Sequence, residues 1–378
     1  MDRRPRSRAP IREVASPHAV VRWAYAPRFA RLSGSNAGQA PTGSNRVGER
    51  PPSNQRGAGR TTLGANITQP APEPAAKRQE LRGALASDRL VTAPGVFDLI
   101  SARLADAQAP AALYMTGYGT VASHLGVPDA GLATCTDMVD RVRQIAQHTR
   151  APLIADGDTG YGGLLNVQHT VRGYEQAGAA AIQLEDQEFP KKCGHTPGRR
   201  VVPADEMAKK VRVAGESRDD PDFLIIARTD ARTTHGLDEA LRRIALYAEA
   251  GADVLFLESP ESEAEMARIG REAGKPLVAN MVEGGRTPIL SAARLRELGY
   301  RVAIFPATGF LAAAAVLERV YADLVANGSS ATHAHELYSF DAFSRMMGFE
   351  AVWAFDRRHA DDASAGASGS EETPNQKD

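Results

Sequence analysis

A repeated alternation narrows what this chain can fold into more than any other feature. Short runs rich in Val, Ile and Leu follow one another between residues 89 and 308: "RLVTAPG", "AALYMTG", "PLIADGD", "AAIQLED", "LIIARTD", "DVLFLES", "PLVANMV" and "VAIFPAT". Their apolar residues are consecutive, the pattern of strands buried on both faces of a parallel sheet. Between and after them lie stretches with apolar residues at helical spacing, such as "TDMVDRVRQIAQHT" and "LDEALRRIALYAEAGA", several ending in glycine ahead of the next strand. Eight such units in series predict an α/β fold of the (β/α)8 TIM-barrel type; a doubly wound sheet, the rival, rarely runs through eight uninterrupted units. The segment "AAKRQELRGALA" adds a helix ahead of the first strand, and "HELYSFDAFSRMMGFEAVWAF" follows the eighth unit. A barrel is closed without that last segment, so its Phe, Met and Trp face is expected to bury against a neighbouring subunit.

The flanks differ in composition. Residues 1–74 are rich in Arg, Pro, Gly and Ser with few acids, and "GSNAGQAPTGSNRVGERPPSNQRGAGR" has too little apolar surface to offset its ordering entropy. This extension reads as disordered, either as a plain tail or start-site artefact, as a transit peptide for mitochondrial import, or as a basic nucleic-acid-binding arm. The next methionine after Met1 is Met115, inside a predicted strand, so a shorter product needs a non-Met start. A polar tail occupies 361–378, leaving 75–360 for the catalytic barrel. With 45 basic and 46 acidic side chains, overall charge favours neither nucleic acid nor membrane as partner. No apolar run reaches membrane-spanning length, and two cysteines cannot build a disulfide framework; a cytoplasmic, reducing location is expected.

The chemistry of a barrel sits where its strands end. Those ends are polar here: Tyr114, Thr116, Gly117 and Tyr118; Asp156 and Asp158; Glu185 and Asp186; Arg228 and Asp230; Glu258; Asn280 and Glu283. So many buried carboxylates repel one another unless something positive sits among them. A hard divalent cation such as Mg2+ fits, and the i,i+2 pair in "DGD" is expected to aim two carboxylates the same way from one strand. Taken one at a time, each acid has the alternative of capping the next helix. Zinc is disfavoured because no Cys/His pair has the short spacing of a tetrahedral site. The glycines of "TGYGT" and "GDTGYGG" complete neither a dinucleotide nor a P-loop pattern.

One of the two cysteines stands in "EFPKKCGHTPGRR", after the fourth strand, between glycines able to act as hinges. Lys191, Lys192 and His195 would lower the Cys193 thiol pKa and attract carboxylates, against the alternative of a surface cysteine without a role. Cys135, in "GLATCTDM", lacks such neighbours and reads as a small buried residue.

At "KKCGH" the sequence resembles the isocitrate lyase/phosphoenolpyruvate mutase superfamily. The resemblance runs from about Ala75 to His359 through "YMTGYG", "LGVPD", "ADGDTGYGG", "QLEDQ", "KKCGH", "IARTDA", "LFLES" and "ANMVEGG". It implies a barrel whose last helix is swapped between subunits of a dimer or tetramer. It also implies Mg2+, with Mn2+ as the alternative, held by Asp156 and Asp158 and supported through water by Asp129 and Glu185. The KKCGH-type loop marks the carbon–carbon lyase branch, and by resemblance Cys193 is a general acid/base. Tyr114 then assists with the substrate hydroxyl proton, with His195 as a further catalytic residue. Thr116, Gly117 and Tyr118 hold the carboxylate of a 2-oxo acid, and Arg228 is the cationic clamp. Gly194, Glu258 and Asn280 complete the expected substrate-binding set.

The implied reaction is cleavage of a 2-hydroxy di- or tricarboxylate to a 2-oxo acid and a carboxylate. The sequence departs from the methylisocitrate lyase pattern at Asn280-Met281-Val282, at Leu311 and near Ala334, where that pattern has a threonine-containing stretch and two arginines. Fewer cations favour a smaller 2-alkylmalate such as 2,3-dimethylmalate, and "ANMVEGGRTP" and "CGHTPGRRVV" look more like the dimethylmalate lyase and petal death protein group. Oxaloacetate hydrolysis or decarboxylation, phosphonate chemistry, and a non-enzymatic barrel with a nucleic-acid arm are the alternatives.

Overall fold

In a computed structural model of the chain, the structure describes residues 71–194, 198–331 and 337–364. Most of the 1–74 extension and most of the 361–378 tail lie outside the described residues, as do His195 and Ala334.

Eight parallel strands close into a barrel in chain order. They are β1 (Val91–Val96), β2 (Leu113–Met115), β3 (Leu153–Asp156), β4 (Ala181–Glu185), β5 (Leu224–Thr229), β6 (Val254–Leu257), β7 (Leu277–Asn280) and β8 (Val302–Phe305). Closure is made by β1 on β8, with Val91 opposite Val302 and Ala93 opposite Ile304. Seven strands fall inside their apolar runs and β1 passes the end of its run by one residue, Val96, because burial on both faces is what made those runs continuous.

Helix α1 (Pro74–Ala86) precedes the barrel and closes its floor. Its Leu81 and Leu85 pack with Val91, Tyr114, Ile154, Ile226, Phe256 and Ile304 in the cluster that fills the barrel interior. Buried Lys77 donates from Nζ to the carbonyls of Ala146 (2.7 Å) and Thr149 (2.6 Å), satisfying orphan acceptors at the end of α4 (Cys135–His148). A second, larger apolar layer lies between strands and surrounding helices.

The outer helices begin where the sequence supplies caps. Asp98 and Ser101 form a reciprocal capping box on α2 (Leu99–Asp106), and Thr134 and Asp137 do so on α4. Helices α5 (Leu164–Gln176), α6 (Ala204–Ser217), α8 (Leu237–Glu249), α9 (Glu263–Glu272) and α10 (Ala292–Glu297) follow at the expected places. Two helices lie beyond the expected set: α3 (Gly117–Leu125), directly after β2, and the single turn α7 (Arg232–His235). Two glycines in its first turn give α3 poor intrinsic propensity, so it reads from sequence as a loop; packing of Gly119 against Phe97, Thr116 and Phe310 holds it.

After α11 (Thr308–Asn327) the apolar C-terminal segment forms two helices, α12 (Phe340–Met347) and α13 (Phe349–Ser364). They are divided at Gly348, whose φ of 95° ends the first helix in the left-handed region. No described helix is long and apolar enough to cross a membrane.

Candidate active site

A cavity of about 260 Å³ opens at the C-terminal ends of the strands. One wall is polar: Tyr114, Thr116, Asp129, Asp156, Glu185, Arg228, Glu258 and Asn280, with Lys191, Lys192, Cys193 and Gly194 above them. Val282, Ile304, Pro306, Ala307, Phe310 and Leu311 form an apolar wall, and Tyr118 and Glu283 border it. Residues from seven strand ends thus meet in one place, as the rule for barrel chemistry requires.

The acids reach this place by different routes. Asp156 is the last residue of β3 and faces the cavity. Asp158 does not continue the strand, as the i,i+2 argument supposed. It adopts φ 49°, and its backbone N–H donates to Asp156 Oδ1 at 3.1 Å. An Asx turn, not strand alternation, therefore brings the second carboxylate of "DGD" alongside the first, and Asp tolerates the left-handed region better than most residues. Gly117 is needed opposite them, since a Cβ there would lie 2.5 Å from Asp156 Oδ2. It opens α3, whose first turn lacks a side-chain cap. Thr116, Gly117 and Tyr118 so present the positive end of a helix beside the carboxylates, a ready anion seat.

Glu185 ends β4 and points inward, while its neighbour Asp186 points outward, as strand geometry demands. Asp186 accepts from Thr229, Arg243 and Tyr247 behind the barrel and has no place in the cavity. Arg228 on β5 is the hub of the polar wall. It donates through Nε and Nη2 to Asp230, both at 2.9 Å, and lies 3.2 Å from Glu185 and 3.5 Å from Glu258. Its guanidinium also sits over the Phe256 ring, 5.2 Å from the centroid. Asn280 Nδ2 donates to Glu258 at 3.0 Å.

The segment carrying Cys193 is tied to the rim. Gln187 and Val201 pair at its stem, and Gln187 bonds Lys192 through both its amide oxygen (3.0 Å) and its amide nitrogen (2.9 Å). Cys193 donates its backbone N–H to Asp129 O at 3.2 Å. Gly194 lies so close to Arg228 that a Cβ would fall 2.3 Å from Nη2. Lys191, read from sequence only as a neighbour of the thiol, is more deeply placed. Its Nζ is 2.5 Å from Asp129 and 2.6 Å from Asp158, with 3% of the side chain exposed. A lysine flanking a cysteine gives no sequence signal of this depth.

Burial governs the electrostatics. It pushes Asp158 up to about 7, with Lys191 opposing and Asp156 and Asp129 adding to the rise. Glu185 is raised well above the carboxylate range by burial, Arg228 opposing. Burial and then Asp156 hold the Tyr114 phenol far above its usual value, so it stays protonated and donates, here to Gln183 at 3.1 Å. For Lys191, the carboxylates of Asp158, Asp156 and Asp129 outweigh burial and keep it charged.

These residues fit a hard cation. The donors are all carboxylate oxygens, and two are poorly served within the protein. Glu185 Oε1 has no hydrogen-bond partner among the described residues, and Asp158 Oδ1 meets Lys191 outside hydrogen-bond geometry. Among the described residues no three Asp, Glu, His or Cys side chains form a ready-made cage. A hard cation of the Mg2+ kind keeps several waters and takes one or two carboxylates directly. Cys193, Tyr114, Arg228, Thr116, Tyr118, Gly194, Glu258, Asn280, Asp156, Asp129 and Glu185 all line the one cavity. Gly117 and Asp158 lie immediately behind its surface, and His195 is outside the described residues.

The family pattern described as phosphoenolpyruvate phosphomutase matches residues 81–325. A 2,3-dimethylmalate lyase of Eubacterium barkeri is 46% identical over 286 residues, 76% of this chain and 98% of its own. A crystal structure of 2,3-dimethylmalate lyase, described as a PEP mutase/isocitrate lyase superfamily member, superposes with a TM-score of 0.70 at 36% identity, covering 80% of this chain and 99% of that one. A structure of oxaloacetate acetylhydrolase in complex with 3,3-difluorooxalacetate gives 0.71 at 36% identity, covering 76% and 98%. With its closed barrel and polar rim, the chain belongs to the PEP mutase/isocitrate lyase superfamily, as one of its carbon–carbon lyases.

Proposed function

We propose that this enzyme cleaves a 2-alkylmalate, with 2,3-dimethylmalate as the leading substrate, to a 2-oxo acid and a carboxylate in a Mg2+-dependent reaction. The observation that carries the reading is the division of the cavity: carboxylates, Arg228 and Cys193 on one side, and an apolar wall from Val282 to Leu311 on the other. The apolar wall suits an alkyl group and offers no cation for a third carboxylate. Similarity to the Eubacterium barkeri lyase supports the same choice.

Asp156 and Asp158 would hold Mg2+, with Asp129 and Glu185 acting through water. The ion would supply Lewis acidity that eases deprotonation of a chelated 2-hydroxyl. Tyr114, fixed as a phenol, orients that hydroxyl by hydrogen bonding. The α3 N-terminus and Arg228 hold the carboxylate beside it. The hydroxyl proton passes to a carboxylate of the rim, the oxygen's electron pair forms the C2 carbonyl, and the bond between C2 and C3 breaks with its electron pair passing to C3 and the carboxylate attached there. Cys193 gives its thiol proton to C3, which completes the second product and leaves a thiolate to be reprotonated. The cavity is walled on this side by the Lys191–Gly194 arm, which keeps water from competing for the carbanion.

The exposed apolar residues of the C-terminal helices support a homo-oligomer, dimeric or tetrameric, with this segment exchanged between subunits. Val325 and Phe340 are each 86% exposed, and Trp353 and Phe355 are about half exposed.

Release of 2-oxo acid from 2,3-dimethylmalate, 2-methylisocitrate, isocitrate and oxaloacetate, each with Mg2+ and with EDTA, tests the reading. Pyruvate from dimethylmalate, lost in EDTA, is the expected result. Turnover of oxaloacetate alone would overturn it in favour of the hydrolase reading, which the oxaloacetate acetylhydrolase likeness favours as the second choice.

A further inference from the structure

Lys191 lines the cavity yet takes no part in the chemistry above. Its ammonium lies 2.5 Å from Asp129 Oδ1 and 2.6 Å from Asp158 Oδ1, in the middle of the carboxylates that would hold the metal. Two residues on, the Cys193 N–H donates to the backbone oxygen of the same Asp129. The arm therefore grips Asp129 at both its ends, main chain and side chain. Among its other attachments, the pair of bonds between Gln187 and Lys192 and the bond from Ser259 Oγ to the Gly194 carbonyl are made by neutral groups. So the charge contact that seats Cys193 uses oxygens from the same set a divalent cation requires. The contact with Asp158 is likewise an ion pair, at 2.6 Å.

We propose that Lys191 is the positioning residue of the Cys193 arm, and that its ammonium competes with the divalent cation for Asp129 and Asp158. The inference rests on the metal-site reading given above. Two cations on one carboxylate cluster repel, so docking of the arm weakens metal binding. By linkage the metal loosens the arm to the same degree. An anionic substrate entering the metal-loaded cavity then offers the displaced ammonium a new partner.

The test uses the full chain without substrate. Mg2+ is titrated calorimetrically into wild type, Lys191→Met and Lys191→Arg, and hydrogen exchange is followed in the peptide carrying the Cys193 amide. Lys191→Met is expected to bind Mg2+ roughly 10- to 100-fold more tightly through loss of one nearby charge, and Lys191→Arg to stay within about threefold of wild type by keeping it. Saturating Mg2+ should speed exchange at the Cys193 amide in wild type. In Lys191→Met exchange should be fast already and indifferent to the metal. Equal affinity in wild type and Lys191→Met overturns the inference while leaving the metal site standing, as does Mg2+ that slows exchange in wild type. Absence of Mg2+ binding to wild type removes the metal-site reading and this inference with it.

Discussion

Glu185 and Asp186 are neighbours in the chain, equally buried, and belong to two clusters of opposite character. Asp186 faces outward into a saturated network. Its Oδ2 accepts from Thr229 Oγ1 (2.7 Å), Tyr247 OH (2.8 Å) and Arg243 Nη1 (2.9 Å), and its Oδ1 accepts the Asp230 N–H (2.9 Å). Asp230 in turn takes Arg199 at 2.6 Å and Arg228 at 2.9 Å. Glu185 faces inward among Asp129, Asp156 and Asp158; its nearest counter-charge, Arg228 at 3.2 Å, is shared with Asp230 and Glu258, and Lys191 serves Asp129 and Asp158. Burial costs both sets of carboxylates alike. The outer set recovers that cost inside the protein; the inner set is left short of positive charge and donors. A shortage that folding itself does not require marks the group built for a ligand.

The two clusters answer to different assays. The largest effect falls on turnover. Cys193→Ser should lower kcat by roughly 10²- to 10⁴-fold, the range of a lost general acid, while thermal unfolding stays at the wild-type temperature. A loss of less than a few-fold would take the proton donor's role from Cys193.

Next in size comes damage to the outer network. Arg243→Leu leaves Asp186 buried with its charge partner gone, at a cost of about 3–5 kcal/mol. Urea denaturation should show it, and the affinity for Mg2+ should not change. A stable Arg243→Leu variant with impaired metal binding would erase the distinction between the clusters.

Asp158→Asn is the mirror experiment. It should weaken Mg2+ binding by about tenfold or more, as loss of a direct carboxylate ligand. Without metal it should not destabilise the fold, because it removes one of several mutually repelling charges. In wild type, Mg2+ at 100 times its Kd should add about 2.7 kcal/mol of stability, and at the same concentration a variant that binds tenfold more weakly should gain only about 1.4 kcal/mol. Denaturation with and without EDTA reads both expectations.

What the sequence made legible follows the same division. The eight strands were readable because burial on both faces writes itself as uninterrupted apolar runs, and the polar rim because those runs end in acids. The strand-end positions of Asp156, Glu185 and Arg228 followed directly from that. Asp158 was placed in the right company for the wrong geometric reason, since a positive φ depends on the turn and leaves no trace in the spacing of "DGD". Helix α3 was hidden because its glycines serve contacts, with Asp156 at Gly117 and with Phe97 and Phe310 at Gly119, and contacts across the fold are invisible to local propensity. By their place at strand ends, Asp186 and Asp230 group with the rim acids. Only the partners, Arg243 and Arg199, reveal that they serve the frame, and those partners lie 57 and 31 residues away.

The smallest expected effect probes the outer edge of the saturated network. Glu239 accepts from Arg242 Nε and Nη2, each at 2.7 Å, and from Arg243 Nε at 2.8 Å. The Arg242 hydrogen bonds, ahead of those from Arg243, hold its carboxyl down at about 2 against an ordinary value of 4.5. A depressed folded-state value means that the group adds stability fully above the unfolded value and loses it as pH falls from about 4.5 towards 2. Solvent reaches this carboxylate, so the contribution should be at most about 1 kcal/mol. Glu239→Gln should therefore be slightly less stable than wild type at pH 7, and the gap should narrow at pH 3. A constant gap across that range would mean that Glu239 acts through packing instead of charge. Arg243 would then be held in place by Asp186 and the Val202 carbonyl, which it reaches at 2.9 and 2.8 Å, without help from the surface.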